Sequence, residues 1–165
     1  MRRILRYVGI SLALIVLQTT LVRFMAIETI TPDLLLIWIV ALALWKGQTT
    51  ATAAGFLLGL SMDLLSGQDG MLGLAALAKT AAGFVAGFFH DENRVLPALG
   101  SFQFPVFTAI TALVHNLVYF AVYLQGSGIG MGNAILIYGI PSTVYTVALS
   151  VIPMMVFARR ARVLI

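Results

Sequence analysis

Lys79 and Asp63 are the residues of this sequence best placed to do chemistry. Lys79 stands inside GMLGLAALAKTAAGFVAGFF, residues 70–89, where nearly every neighbour is apolar or small. Asp63 closes a similar run, ATAAGFLLGLSMD, residues 51–63. A lone base and a lone acid in apolar surroundings can pair, relay a proton, or hold a charged solute. His115 and Asn116 form a second polar point inside FQFPVFTAITALVHNLVYF, residues 102–120. One histidine with no second histidine or carboxylate three or four positions away is a poor metal site, and a hydrogen-bonded core histidine is the expected role. His90, Asp91 and Glu92 are adjacent in sequence and do not converge on one point, so they read as a solvated turn.

Other reactive patterns are missing. The chain has no cysteine, which excludes disulfides, thiol nucleophiles and thiolate metal sites. No nucleophile elbow, zinc-protease helix or phosphate-binding loop with its lysine occurs. GSGIGMG, residues 126–132, lacks the strand that a dinucleotide-binding loop requires and reads as a flexible link. Neither a catalytic residue, a metal site nor a cofactor is expected.

The elements that must position Lys79 and Asp63 follow from composition. Of 165 residues, 61% are hydrophobic and only 10% are charged; a soluble domain carries about 25% charged residues. Mean hydropathy is +1.02. Lipid is therefore the expected solvent. Six apolar segments cover residues 4–22, 30–45, 49–65, 71–89, 101–124 and 133–157. The expected fold is all-α, a single integral membrane domain of six transmembrane helices. The first segment has a basic start like a signal peptide, but its apolar run is long and no small-x-small cleavage site follows, so it reads as a retained anchor. The second is short; Thr31, Pro32 and Asp33 supply a cap, a first-turn proline and an acid at its start.

Charge sets the orientation. With the N-terminus inside, Arg2, Arg3, Arg6, Lys46, Arg94, Arg159, Arg160 and Arg162 all fall on the cytoplasmic side and only Arg23 falls outside, eight against one. Both termini are then cytoplasmic. This bias explains the pI near 9.9 without a nucleic-acid partner. Trp45, Tyr119 and Tyr123 lie near segment ends, as interfacial anchors do. Pro105, Pro141 and Pro153 should bend the last two helices, most of all around YGIPSTVY, residues 138–145.

Two stripes of small residues recur every four positions: Ala51, Gly55 and Gly59, ending at Asp63, and Ala75, Gly83 and Gly87, interrupted by Lys79. Positions four apart share a helix face, and such faces let backbones approach closely in lipid, either inside the hairpin or against another protein, with internal packing expected of at least one stripe. The link at residues 66–70 makes the two helices antiparallel neighbours. Lys79 lies about 12 Å below the outer end of its helix at 1.5 Å per residue, and its stem snorkels outward. A pair between Lys79 and Asp63 across the hairpin is expected, acting as a clasp. Gln18, His115, Asn116, Ser142 and Thr143 fall in the same outer half and form an expected polar layer.

The central part of the chain also resembles a known family. PDLLLIWIVALALWKGQTTATAAGFLLGLSMDLLSG, followed by GLAALAKTAAGFVAGFF and ENR, is similar to the rod shape-determining protein MreD family. The matching positions are Pro32, Gly47, Gly55, Phe56, Gly59, Asp63, Gly73, Leu74, Lys79, Thr80, Gly83 and Gly87, within residues 30–94; elsewhere the match is in length and polarity alone. The resemblance implies a non-enzymatic scaffold of the cell-elongation machinery in the bacterial inner membrane. Its partners would be an MreC-type single-span protein, the MreB filament, a RodA-type glycosyltransferase and a class B penicillin-binding protein. It also implies a bundle like the S components of energy-coupling-factor transporters. The alternative function is of that kind: a carrier component binding a small, vitamin-like solute.

Overall fold

The computed structural model describes residues 2–27, 30–66, 71–125, 128 and 130–163, with the backbone alone at 2–4, 23, 66 and 160–163. Residues 67–70 of the link, residues 126, 127 and 129 of the glycine-rich loop, and the side chains of Arg2, Arg3, Arg23, Arg160 and Arg162 lie outside the described residues. Among these residues the chain is all-helical, with a single β-bridge between Ile27 and Ile30.

The architecture is organised by its most apolar helix. Helix α2, Leu34–Lys46, reads LLLIWIVALALWK, and every residue from 35 to 44 is buried. A helix that is apolar all round must be enclosed on all sides. Around it stand α1 (Arg2–Phe24), α3 (Gln48–Ser66), α4 (Leu74–Ala86), α6 (Gln103–Tyr123) and α8 (Ile140–Val163). The small helices α5 (Val95–Leu99) and α7 (Met131–Ala134) sit in the connections. At 13 residues α2 is only about 20 Å long, against a hydrocarbon core of about 30 Å.

Three helices are long and apolar enough to cross a membrane: Leu5–Val22, Gln103–Tyr123 and Met131–Arg159. Helix α2 and the stretch Leu74–Phe89 are apolar but shorter. Large hydrophobic side chains cover the outside, among them Leu12, Leu57, Phe102, Ile137 and Val144. In water so much exposed apolar surface would drive association; it suits lipid, and the chain is a membrane protein.

Contacts bring several ends together at one end of the bundle. The Lys46 ammonium sits 5.7 Å over the Tyr7 ring. Trp45 meets Phe157 edge-on at 5.2 Å, and Gly100 lies against the backbone of Phe157 and Ala158. Trp45 is thus a half-buried packing residue, held between the rings of Trp38 and Phe157. His90 also departs from its expected place in a solvated turn. Its Nδ1 lies 2.8 Å from the Leu44 carbonyl oxygen, one of the acceptors left over where α2 ends. Gly47, at φ 79°, lets the chain turn beside that ring.

The prolines act unequally. Pro105 stands in the first turn of α6, where no donor is lost, so it does not force a bend there. Before Pro141 the chain widens into a π-helical turn, Ile135–Gly139. Asn116 Nδ2 donates to Gly139 O at 2.9 Å and to Thr143 Oγ1 at 3.0 Å. The Thr143 hydroxyl donates to the same Gly139 carbonyl at 2.8 Å.

Candidate functional site

Lys79 does not meet Asp63. Its ammonium donates to Asp33 Oδ2, and the two form an ion pair with side chains 5% and 17% exposed. The register of the α3–α4 hairpin explains the difference. A Cβ placed on Gly55 would strike the backbone of Lys79 and Thr80; on Gly59, that of Ala75 and Ala76; on Gly83, that of Ala51 and Thr52. The two stripes therefore face each other, with Gly55 opposite Lys79. Asp63 lies eight residues beyond Gly55, about 12 Å along the axis, and a lysine stem spans only about half of that.

The Asp63 carboxylate has another role. Oδ1 accepts from Ala75 N at 3.0 Å, and Oδ2 accepts from Gly73 N at 3.1 Å and Ala76 N at 3.0 Å. These amides open α4, where donors lack intrahelical partners and a negative charge is favoured. The side chain that begins the hairpin's second helix thus comes from the last part of the first.

Asp33 carries two duties. It is the N-cap of α2, its Oδ1 accepting from Leu36 N at 3.0 Å, while Oδ2 takes Lys79. Pro32 precedes the helix and does not occupy its first turn, so Asp33 is the cap in place of Thr31. The cap and the residue before it lie within the bundle: the Asp33 side chain is 17% exposed and Pro32 is fully buried. Backbone in such a place must find partners inside the protein.

The polar layer supplies them. Gln18 Nε2 donates to Pro32 O at 3.0 Å, and Leu34 N donates to Gln18 Oε1 at 2.9 Å. Asp33 N donates to Thr146 Oγ1 at 3.0 Å, and the Ser142 hydroxyl to Thr31 O at 3.0 Å. Gln18 and Ser142 of the expected layer therefore fasten the start of α2, while Asn116 and Thr143 hold the π-helical turn. His115 stands nearest the ion pair, its Nε2 3.8 Å from Asp33 Oδ2. As expected it is a hydrogen-bonded core histidine, bonded to the Ala78 backbone, but its buried Nδ1 makes no hydrogen bond. Sequence reasoning missed Asp33 and Thr146 as site residues and treated Tyr119 as an anchor alone.

Gln18→Leu tests this account. It leaves Pro32 O and Leu34 N without partners, and each buried orphan costs about 1–3 kcal/mol. The expected loss is about 2–4 kcal/mol, measured as the unfolding free energy in micelles against the parent chain. A loss below about 0.5 kcal/mol, the level of an ordinary surface change, would show that the start of α2 is wetted from outside.

Two cavities open beside the pair. One of about 180 Å³ is lined by Asp33, Asp63, Lys79 and His115 among others, and one of about 310 Å³ by Asp33, His115, Asn116, Tyr138 and Ser142 among others. Both also touch Gln18 and Tyr119. No group of three or more metal-ligating side chains occurs among the described residues.

Fold and site together define a class: a helical membrane protein whose short central helix is anchored by a buried lysine–aspartate pair beside a polar cavity. Comparison with family models, curated proteins and solved structures finds no match for the chain.

Proposed function

We propose that the chain is a non-enzymatic scaffold of a cell-elongation apparatus in a bacterial inner membrane, as its resemblance to MreD proteins implies. In this reading it crosses the bilayer six times with both tails in the cytoplasm. It binds an MreC-type single-span protein, and through it associates with the MreB filament, a RodA-type glycosyltransferase and a class B penicillin-binding protein. Exposed Arg6, Lys46, Arg94 and Arg159 support the orientation, since contacts of their neighbours gather at one end of the bundle.

One observation carries the scaffold reading. Both small-residue stripes are consumed inside the α3–α4 hairpin, so a partner helix must meet another face. A groove of about 590 Å³ between α1 and α3 is that face. Its walls include Val8, Leu12, Ala53, Ala54 and Leu57, and it is almost wholly apolar. Small side chains on α3 let a single helix approach closely there.

The test is co-purification with a co-expressed MreC-type protein in mild detergent. Ala53→Trp and Leu57→Trp fill the groove from exposed positions. They are expected to abolish capture while leaving the unfolding temperature of the isolated chain unchanged. Undiminished capture by both variants, or no capture by the parent chain, would sink the proposal. The second reading, a solute-binding component of an energy-coupling-factor transporter, is favoured by the polar cavities. It predicts capture of a transporter's energising subunits in place of MreC.

A further inference from the structure

His115 marks the place where the polar network is incomplete. The ring hydrogen-bonds the Ala78 backbone, but its Nδ1 is buried without a hydrogen bond, and its Nε2 lies 3.8 Å from Asp33 Oδ2, beyond hydrogen-bond reach of that carboxylate. Asn116 spends both amide hydrogens on Gly139 and Thr143 and receives no donor at Oδ1 among the described residues. Lys79 gives Asp33 one of its three N–H groups. Folded interiors satisfy nearly all buried polar atoms. Here the unpartnered His115 Nδ1 belongs to a ring that lines both cavities, with Lys79 in the wall of the first and Asn116 in that of the second.

The charge of the site limits what fits. Lys79 and Asp33 neutralise each other, and the Asp63 carboxylate is taken up by three α4 amides. A solute with net charge would bring an unpaired ion into a place of low dielectric. A solute carrying both signs would not. The two cavities are also polarised. The first holds the Lys79 ammonium beside Asp33 and the amide-bound Asp63, and the second holds Asp33 without Lys79, walled by the rings of Tyr119, Phe120 and Tyr138. Aromatic faces beside a carboxylate suit a cation.

We propose that the two cavities form one binding site for a small zwitterion of the amino-acid or betaine type. The solute carboxylate faces Lys79 and the His115 ring. Its ammonium group faces Asp33 and the three aromatic rings. The proposal does not rest on the scaffold reading; it deepens the second reading by naming the solute class.

Purified chain in detergent, without any partner, is titrated calorimetrically with glycine betaine and with L-alanine. Acetate, tetramethylammonium and glycerol are the matched controls, carrying one sign or none. Thermal unfolding is followed in parallel. A zwitterion is expected to bind saturably and raise the unfolding temperature, while the three controls do neither. His115→Leu and Tyr138→Leu are each expected to weaken binding by about tenfold or more, the loss that follows one unmade buried contact. Tyr138 is exposed and stands apart from the ion pair, so this variant keeps the fold even where His115→Leu does not. The proposal fails if neither zwitterion binds, if a control binds as well as they do, or if both variants bind as the parent does. Because no partner is present, those outcomes leave the MreC capture result standing on its own.

Discussion

Replacing Lys79 by methionine is expected to destabilise the chain by about 3–5 kcal/mol, and adding Asp33→Asn is expected to restore most of that loss. The single change leaves a carboxylate withdrawn from water with no counter-charge. Its Leu36 hydrogen bond remains but cannot neutralise it. Asparagine keeps the cap, because its side-chain oxygen can accept from Leu36 N as Oδ1 does. The double variant then has neither ion to desolvate. Pairing the lysine change with Asp63→Asn should give no such recovery. It removes a charge that three α4 amides share and adds its own cost. Unfolding free energies for the parent, the singles and the two doubles decide the matter. Recovery through position 63 in place of 33 would return the pair to the hairpin.

The hairpin was legible because its signal is periodic. Small residues every four positions on two segments joined by a short link force one face against another, and register follows from which glycines meet. The grouping of Gln18, His115, Asn116 and Ser142 was legible for a similar reason: rise per residue fixes relative height along a helix. Rise along each helix does not fix the offset between two helices, and that is where the expected ion pair failed: Gly55 stands opposite Lys79, leaving Asp63 about 12 Å away along the axis. Lys79 and Asp63 lie on facing stripes, yet the lysine side chain leaves the hairpin and reaches α2.

A clue to Asp33 was present in the shortness of the second apolar segment. A helix of 13 residues cannot span the core, so at least one of its ends must lie at depth. An acid at depth needs a cation, and Lys79 was the only one placed there. What no local pattern carries is the exchange of duties among distant side chains: Gln18 and Thr146 meet the α2 start across 16 and 113 positions. Apolar run length predicted six spans, and three of those segments, at 4–22, 101–124 and 133–157, hold helices of membrane length among the described residues. The internal packing of Trp45 and the seating of His90 on Leu44 depend on helix ends meeting, which the run lengths do not specify.

Gly55→Ala is expected to cost more than Gly83→Ala, and both more than Gly9→Ala. A Cβ at Gly9 meets nothing within 4 Å, so that change serves as the control for helix propensity. At Gly55 and Gly83 the added carbon falls on the backbone of the opposite helix, which cannot rotate aside as a side chain can. Overpacking of this kind costs about 1–3 kcal/mol. The excess at Gly55 arises because its neighbour is Lys79 itself: displacing that backbone also pulls the ammonium from Asp33. Two consequences follow for unfolding free energies measured in one detergent. The Gly55–Gly83 double variant should lose less than the sum of the singles, since one separation of α3 from α4 accommodates both carbons. In the background of Asp33→Asn with Lys79→Met, the penalty at Gly55 should fall to that at Gly83. An unchanged difference there would mean that the hairpin's spacing and the ion pair are independent, and that Gly55 shapes the helix contact without setting the position of the charge.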